Sequence, residues 1–156
     1  MTPRKILICG LPGSGKTTLA RALAPLIGAV HFDGDDVRNL TDNNDFSPLG
    51  RTAQALSMDW LCNKVIAAGT SAVASFVCPT DELRMEFNAD YTVFMDTDPA
   101  SPYTDTNTLF ERPVYPDWRV FEWKDNNASL IAAHLVIRLD KETEAISATE
   151  IRRRAP

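Results

Sequence analysis

The sequence predicts an α/β protein in which helices cover both faces of a five-stranded parallel sheet. Short apolar segments alternate with longer segments of helical periodicity along most of the chain. A glycine-rich segment, residues 10–18, lies between the first apolar segment and the first helical one, as in a strand–loop–helix unit. The length of 156 residues, with 44% hydrophobic and 24% charged residues, is that of one folded domain.

Three strands and two helices are predicted in the first half of the chain. Short runs of apolar and β-branched residues predict strands at 5–9, 28–32 and 70–77. Helical spacing predicts helices at 17–26 and 49–68, separated by a polar, turn-rich loop over 39–48. In the second helix a buried apolar stripe is expected from five residues at helical spacing: Leu49, Ala53, Leu56, Trp60 and Val65.

Two further strands and two further helices are predicted in the second half. Residues 82–88 and 128–139 have helical patterns, the first capped by Thr80 or Asp81 and the second by Asn126 or Asn127. Strands are expected at 91–95 and 119–123. Between them, residues 98–117 contain four prolines and no helical period, which predicts a long loop.

The charged segment at residues 141–156 is predicted to be a tail or separate helix, so that residues 1–140 form the folded domain. Ser147 or Thr149 is the expected cap of a helix there. Its basic end suits a helix C-terminus.

Charge and cysteine content restrict the expected partners and compartment. A net charge of −5 argues against nucleic-acid binding. Three unpaired cysteines, with no apolar leader and no membrane-length apolar run, predict a cytoplasmic protein with reduced thiols and no membrane contact. The two histidines lack the spacing of metal ligands and are expected to be structural. A homodimer is an assembly that the sequence leaves open.

Residues 10–18 have the sequence GLPGSGKTT, which fits the phosphate-binding pattern G-x-x-x-x-G-K-[ST]. Glycines in such a loop let backbone N–H groups turn inward toward anionic oxygens, and the following helix adds its positive end. Lys16 can reach the β- and γ-phosphates, and the Thr17 hydroxyl can hold Mg²⁺. The expected ATP-binding residues are Gly10, Pro12, Gly13, Ser14, Gly15, Lys16, Thr17 and Thr18.

Carboxylates follow the second predicted strand directly. Asp33 and Asp35 stand where α/β proteins bind ligands, and they can hold Mg²⁺ or its waters, or accept a proton from an attacking hydroxyl. An ordinary turn with a helix cap is the alternative interpretation. Lys16, Asp33 and Asp35 are therefore the candidate catalytic residues.

Three further polar residues are candidate binding residues, although each could also be an ordinary surface side chain. Arg51 and Gln54 lie one turn apart and share a helix face, which would otherwise be solvent-exposed surface. Arg112, in the proline-rich segment, could stabilise the charge of a transferring phosphate, or it could be an ordinary surface arginine.

Four short segments, together with the phosphate loop, resemble the adenylylsulfate kinase family. Residues 32–38 read FDGDDVR, similar to the family's Leu-Asp-Gly-Asp-x-x-Arg, and residues 45–51 read DFSPLGR, similar to Gly-Phe-Ser-x-x-Asp-Arg. Residues 76–79 (FVCP) resemble a Phe-Ile-Ser-Pro strand end, and residues 94–97 (FMDT) resemble the strand before the family's lid. The family's Arg-Asp-x-Lys-Gly-Leu-Tyr lid is missing, and a proline-rich stretch ending in FERP stands in its place.

The resemblance implies a three-layer P-loop kinase fold and transfer of phosphate from ATP, with Mg²⁺, to the 3′-hydroxyl of adenylylsulfate. Asp33 would be the base and a Mg²⁺-side carboxylate. Arg38 and Arg51 would grip the phosphosulfate group, and Phe46 would stack on the adenine. Gln54 stands where the family has asparagine, on the side of the small-molecule nucleotide substrate.

Two other functions remain open on the sequence. One is a P-loop kinase for another hydroxyl, such as that of a nucleoside or of a polynucleotide 5′ end. The other is a nucleotide-binding module without transfer activity, which the missing lid keeps in consideration.

Overall fold

Five parallel strands form one sheet in the order β2-β3-β1-β4-β5. The protein is described by a computed structural model covering residues 2–97 and 102–154. The strands are β1 (Lys5–Cys9), β2 (Ala29–Asp33), β3 (Ser71–Ser75), β4 (Tyr91–Met95) and β5 (Trp118–Val120). The predicted five-stranded parallel sheet is therefore confirmed, although β5 is shorter than the 119–123 expected and begins one residue earlier.

Helices cover both faces of this sheet and complete the three predicted layers. They are α1 (Lys16–Leu26), α2 (Gly34–Thr41), α3 (Pro48–Ala67), α4 (Asp81–Phe87), α5 (Thr104–Leu109) and α6 (Asn127–Arg154). Alternate side chains of β1 point to opposite layers. Ile6 and Ile8 pack with α1 and α6, whereas Leu7 and Cys9 pack with α2, α3 and α4.

The acidic segment after β2 begins a helix, α2, which extends into the predicted loop. Asp33 is the N-cap of α2, where its side chain accepts a hydrogen bond from the backbone N–H of Asp35. The helix runs on to Thr41, so the expected loop over 39–48 is shorter than predicted. Asp33 is therefore the helix cap of the alternative interpretation and also the carboxylate that was predicted to bind a ligand.

The predicted apolar stripe of α3 is wrong in its orientation. Leu49, Leu56 and Trp60 are 78%, 57% and 60% exposed. Arg51 and Gln54 are buried instead, which rules out the alternative interpretation that they are exposed helix surface. Periodicity identified the helix correctly, but it could not show that a polar cleft would occupy the inner face.

The segment over 98–117, predicted to have no helical structure, contains the short helix α5. Residues 98–101 of that prediction lie outside the described residues. Thr106 is buried at the centre of α5. The six-residue helix is too short for apolar periodicity to reveal it.

The C-terminal tail is not a separate element, because α6 continues unbroken to Arg154. Thr149 is no cap: its hydroxyl donates to the carbonyl of Ala145, one turn earlier within the helix. Ser147 is likewise inside the helix. Residues 155–156 lie outside the described residues.

Within the described ranges, no helix combines the length and the apolar character needed to cross a membrane.

Candidate active site

The phosphate loop joins β1 to α1 and bends in the way the sequence requires. Gly15 has φ 97° at the N-cap of α1, a left-handed conformation that glycine adopts without strain. Gly10 also has a positive φ, and a Cβ there would lie 2.8 Å from the carbonyl oxygen of Met95. The loop therefore packs directly against the end of β4, and only glycine fits.

Two hydrogen bonds fix the phosphate loop, one from the neighbouring loop and one within it. The Thr97 hydroxyl, just after β4, donates to the carbonyl of Ser14 at 2.8 Å. The Lys16 ammonium donates to the carbonyl of Leu11 at 2.8 Å, which holds the lysine side chain across the loop. The Ser14 hydroxyl is buried and finds no partner among the described residues.

Lys16 is the cation of this loop, and its surroundings lower its pKa. Burial disfavours the ammonium and lowers its pKa to about 8, although the negative charges of Asp33 and Asp35 act in the opposite direction. An anionic ligand beside the ammonium would restore the charged form.

Asp33 stands beside the phosphate loop at the end of β2. Its Oδ1 accepts hydrogen bonds from the hydroxyls of Thr17, at 2.5 Å, and Ser75, at 2.9 Å. Burial pushes the pKa of Asp33 up, but these hydroxyls and the Asp35 backbone N–H outweigh that effect and hold the pKa below its ordinary value. The carboxylate is therefore ionised at neutral pH and oriented by three donors.

Ser75 is a site residue that the sequence analysis missed. It lies opposite Asp33 in the β2–β3 register, which brings its hydroxyl to the carboxylate. On its other side the same hydroxyl oxygen lies 2.7 Å from Nε2 of His31. Ser75 reaches Asp33 only because β2 and β3 pair in this register, and no local pattern in the sequence reveals that pairing.

A cleft of about 800 Å³ joins the phosphate loop to the acidic end of β2 and to the inner face of α3. Most of the predicted site residues line it: Pro12, Gly13, Gly15, Lys16, Thr17, Thr18, Asp33, Asp35, Arg38, Phe46, Arg51 and Gln54. Its other wall follows β3 and includes Phe76, Cys78 and Pro79. A cavity of this size is typical of a small-molecule site.

Two arginines flank one aromatic ring at the far end of the cleft. The Arg38 guanidinium lies 4.2 Å from the ring centroid of Phe46, and its Nη1 donates to the carbonyls of Asn43 and Asp45. Arg51 is buried; its Nε donates to the Phe46 carbonyl and its Nη2 to the Thr106 hydroxyl, at 2.8 and 2.9 Å. The far end thus combines positive charge with an exposed aromatic face.

Gln54 lies between these two halves with one of its polar atoms unused. Its Nε2 donates to the carbonyl of Gly34 at 2.8 Å, while the buried Oε1 has no partner among the described residues. An acceptor atom left unpaired in a buried wall is costly unless a ligand or water reaches it.

Three predicted residues do not line the cleft. Arg112 is largely exposed and forms an ion pair with Asp96 at 2.5 Å. Gly10 and Ser14 belong to the phosphate loop but are not among the residues that line the cleft. For Gly10 the structure provides a packing reason, whereas the role of Arg112 stays a prediction.

The oxygen ligands near the phosphate loop suit Mg²⁺. They do not suit a metal that is coordinated entirely by protein side chains. Thr17 and Asp33 offer one hydroxyl and one carboxylate, and Mg²⁺ is typically held by one or two such groups together with phosphates and water. Among residues 2–97 and 102–154 there is no cluster of three His, Cys, Asp or Glu side chains suited to a metal.

Solved structures of several small-molecule kinases share this architecture. The APS kinase of Mycobacterium tuberculosis, solved with AMPPNP and APS, aligns with a TM-score of 0.68 and 21% identity, covering 88% of this chain and 99% of that one. A gluconokinase from Sinorhizobium meliloti aligns with a TM-score of 0.63 and 17% identity, covering 95% and 98%. A shikimate kinase from Acinetobacter baumannii reaches 0.51 and 16%, covering 90% and 95%. These likenesses establish the fold.

Comparison of the sequence with protein families identifies the family of this chain, which the fold alone does not. No curated protein matches the chain significantly. Residues 2–114 match the adenylylsulphate kinase family, and this region includes the phosphate loop, both arginines of the cleft and α5. Since the match spans most of the chain, the protein belongs to the adenylylsulphate kinase family and is a kinase.

Proposed function

We propose that this chain transfers the γ-phosphoryl group of ATP to the 3′-hydroxyl of adenylylsulfate. The observation that carries the proposal is the single cleft in which Lys16 and Asp33 stand at one end and Arg38, Phe46 and Arg51 at the other. The positive charge and the aromatic ring at the second end suit a nucleotide that carries an anionic phosphosulfate group. The Mycobacterium tuberculosis APS kinase, which shares the fold, was solved in complex with AMPPNP and APS.

Binding of the donor phosphates would rest on the amides of the phosphate loop and on Lys16. Asp33 would orient the acceptor hydroxyl and receive its proton, because its carboxylate is ionised and fixed by three donors. Mg²⁺, held by Thr17 and Asp33, would neutralise charge on the phosphates. Most of the rate enhancement in such a site comes from positioning and electrostatics.

Recognition of the acceptor would depend on the three residues at the far end. Arginine guanidinium groups bind oxyanions through paired N–H donors, and the exposed ring of Phe46 offers a face for a purine. Part of the donor capacity of Arg51 is used by Thr106 and by the Phe46 carbonyl. The acceptor would therefore share this guanidinium with α5.

The proposal is tested with a panel of acceptors under ATP and Mg²⁺, read out as transferred ³²P. Adenylylsulfate, gluconate, shikimate and a 5′-hydroxyl oligonucleotide would be compared at equal concentrations. We expect labelled product with adenylylsulfate, its loss in Lys16→Ala, and an increased KM for adenylylsulfate in Arg51→Ala.

The panel also separates the two alternatives. Preference for another hydroxyl would overturn the assigned acceptor while leaving the kinase activity intact. Nucleotide binding without transfer to any acceptor would indicate a binding module instead. Wild-type kinetics in Arg51→Ala would contradict the assigned acceptor pocket.

A further inference from the structure

The outward face of α3 presents a row of apolar side chains to solvent. Six of its exposed positions are spaced alternately four and three residues apart: Leu49, Ala53, Leu56, Trp60, Asn63 and Ala67. This is the spacing with which two helices pack along a common seam. Five of the six residues are apolar, and the three largest side chains are more than half exposed. We call these six residues the outer seam of α3.

The outer seam is not part of the core of the chain that carries it. The opposite face of α3 supplies the buried residues, among them Gln54, Ala55, Met58 and Cys62. Apolar side chains that stay in contact with water contribute nothing to folding, and a continuous patch of them on a soluble protein marks an interaction surface.

Two charged residues stand at opposite ends of the outer seam. Lys64 is exposed in the last turn of α3, where its ammonium lies 5.2 Å from the centroid of the Trp60 ring. Asp45 is exposed at the other end, so close to the first turn of α3 that a Cβ on Gly50 would lie 2.5 Å from its Cγ. The outward face is therefore positive at one end and negative at the other.

The other charged groups nearby do not change this polarity. Arg51 is buried in the cleft, and Asp59 forms an ion pair with Lys5 of β1 at 2.6 Å. Arg38 donates to the carbonyl of Asp45, but its guanidinium lies against the Phe46 ring in the lining of the cleft.

We propose that the outer seam is the interface of a homodimer, in which the α3 helices of two copies lie antiparallel about a two-fold axis beside Leu56. This axis sets Leu56 against its own counterpart and the small Ala53 opposite the partner's Trp60. It also brings Lys64 near the partner's Asp45, and each of these contacts occurs twice, as a two-fold interface requires. A parallel pair would instead set lysine against lysine and aspartate against aspartate. The inference does not depend on which hydroxyl the enzyme phosphorylates.

The length of α3 sets the strength expected of this dimer. Its 20 residues span about 30 Å. Two helices in contact over that length bury on the order of 600 Å² per partner, which is the low end for a specific interface. An obligate dimer buries considerably more. We therefore expect a reversible dimer with a dissociation constant in the micromolar range.

Sedimentation equilibrium between about 1 and 300 µM, a range that brackets this dissociation constant, tests the interface. Leu56→Glu sets two carboxylates against each other beside the axis, so the dissociation constant should rise at least about 100-fold. Ile137→Glu on α6 is the matched control, because Ile137 is 55% exposed and Leu56 57%. The control should keep the wild-type dissociation constant, and both variants should keep the wild-type circular dichroism because neither residue is in the core.

Exchange of the two charges tests the antiparallel direction. Lys64→Glu and Asp45→Lys each place like charges together, and each should raise the dissociation constant by about 2- to 20-fold, since a dimer holds two such exposed pairs. The double variant restores opposite charges and should return the dissociation constant to near the wild-type value. A double variant that is weaker than both single variants would overturn the antiparallel arrangement.

Oxidative cross-linking locates the axis independently of the charges. The three native cysteines are buried, so a thiol introduced by Leu56→Cys is the accessible one, and it should join two copies through a disulfide. Ile137→Cys should not form such a dimer under the same conditions.

Two outcomes would overturn the proposal as a whole. A wild-type chain that stays monomeric at 300 µM would leave the outer seam to a different partner. A wild-type dimer that Leu56→Glu does not weaken would have its interface on another surface. Neither outcome bears on the proposed phosphoryl transfer, which the acceptor panel decides.

Discussion

Lys16 is the residue through which we expect nucleotide binding to depend on pH. Burial lowers its pKa to about 8, so around pH 8 a substantial share of the free protein carries a neutral lysine. Phosphate oxygens beside Nζ favour the ammonium and raise that pKa again. Nucleotide binding should therefore take up protons near pH 8. The affinity should fall as the pH rises further, because the proton must be supplied from increasingly basic solvent.

We therefore predict an uptake of about half a proton per nucleotide bound at pH 8, since a group at its pKa is half protonated. Calorimetry in buffers of different ionisation enthalpy measures this number directly. Lys16→Met is the matched variant and should bind more weakly with no such uptake. Equal proton uptake in both proteins would mean that Lys16 is not the titrating group.

Asp33 has a structural role as a helix cap and a proposed chemical role as a base, and one substitution separates the two. Asparagine caps a helix about as well as aspartate, so Asp33→Asn should keep α2 and change the midpoint of thermal unfolding little. It should nonetheless lower kcat by at least about 100-fold, because the amide cannot accept the proton. Asp36→Asn, in the first turn of α2 but outside the cleft lining, is the control and should keep near wild-type kcat. A large drop in both variants would point to helix damage rather than loss of a base.

At the scale of elements, local patterns predicted those helices and strands whose signals lie within their own residues. The apolar run of β1 and the glycine-rich segment after it are local signals, and the strand and the loop leading into a helix that they predicted are present in the structure. The inner face of α3 was not, because Arg51 and Gln54 are buried by a cleft made from three other parts of the chain. α5 was missed because it is too short to show an apolar period. The burial of its Thr106 depends on a partner 55 residues away in the sequence, which no local pattern shows.

The contact between α3 and α5 is predicted to hold the far end of the cleft together. Thr106→Val removes the oxygen that accepts from Arg51 Nη2 and leaves that buried donor with Asp105 at 3.8 Å. We expect a loss of about 1–3 kcal/mol in the free energy of unfolding, the usual cost of an unpaired buried polar group. Urea denaturation measures it, and faster hydrogen exchange over residues 104–109 should accompany it.

Thr108→Val is the matched control on the same helix. Among the residues that the structure describes, its exposed hydroxyl donates to the carbonyl of Thr104 alone, so its removal should change stability by less than about 0.5 kcal/mol. If the two valine variants were equally stable, the Arg51–Thr106 contact would not hold α5 in place.

For the molecule as a whole, the layered fold could be predicted from the sequence, whereas the point at which its last helix ends could not. Charge and polarity suggested a break near residue 140, yet α6 runs through that point as one helix. A helix that leaves the core keeps its backbone hydrogen bonds, so a change in composition does not mark a change in secondary structure. What changes along α6 is burial: Asn127, Ala128, Ile131 and Leu135 are its buried residues.

We therefore predict that a chain ending at residue 140 keeps the fold and the kinase activity. The removed residues 143–154 are exposed, and Glu142 contributes only partly exposed ion pairs with Arg4 and Arg138, at 3.1 and 3.6 Å. Pairs of this kind are worth a few tenths of a kcal/mol each, so the free energy of unfolding should fall by less than about 1 kcal/mol. Leu135→Ala, within the buried part of the same helix, should cost about 2–5 kcal/mol in the same urea titration.

Sedimentation of the full and shortened chains at several concentrations gives this prediction its second readout. Ile146 and Ile151 are exposed in the removed segment, and a homodimer stays a prediction for this protein. If the segment only extends into solvent, both chains sediment in the same oligomeric state and unfold at similar urea concentrations. A shortened chain that loses more than about 2 kcal/mol, or that dissociates where the full chain does not, would show that these last turns are packed against a second copy, because within one chain they bury too little surface to account for the loss.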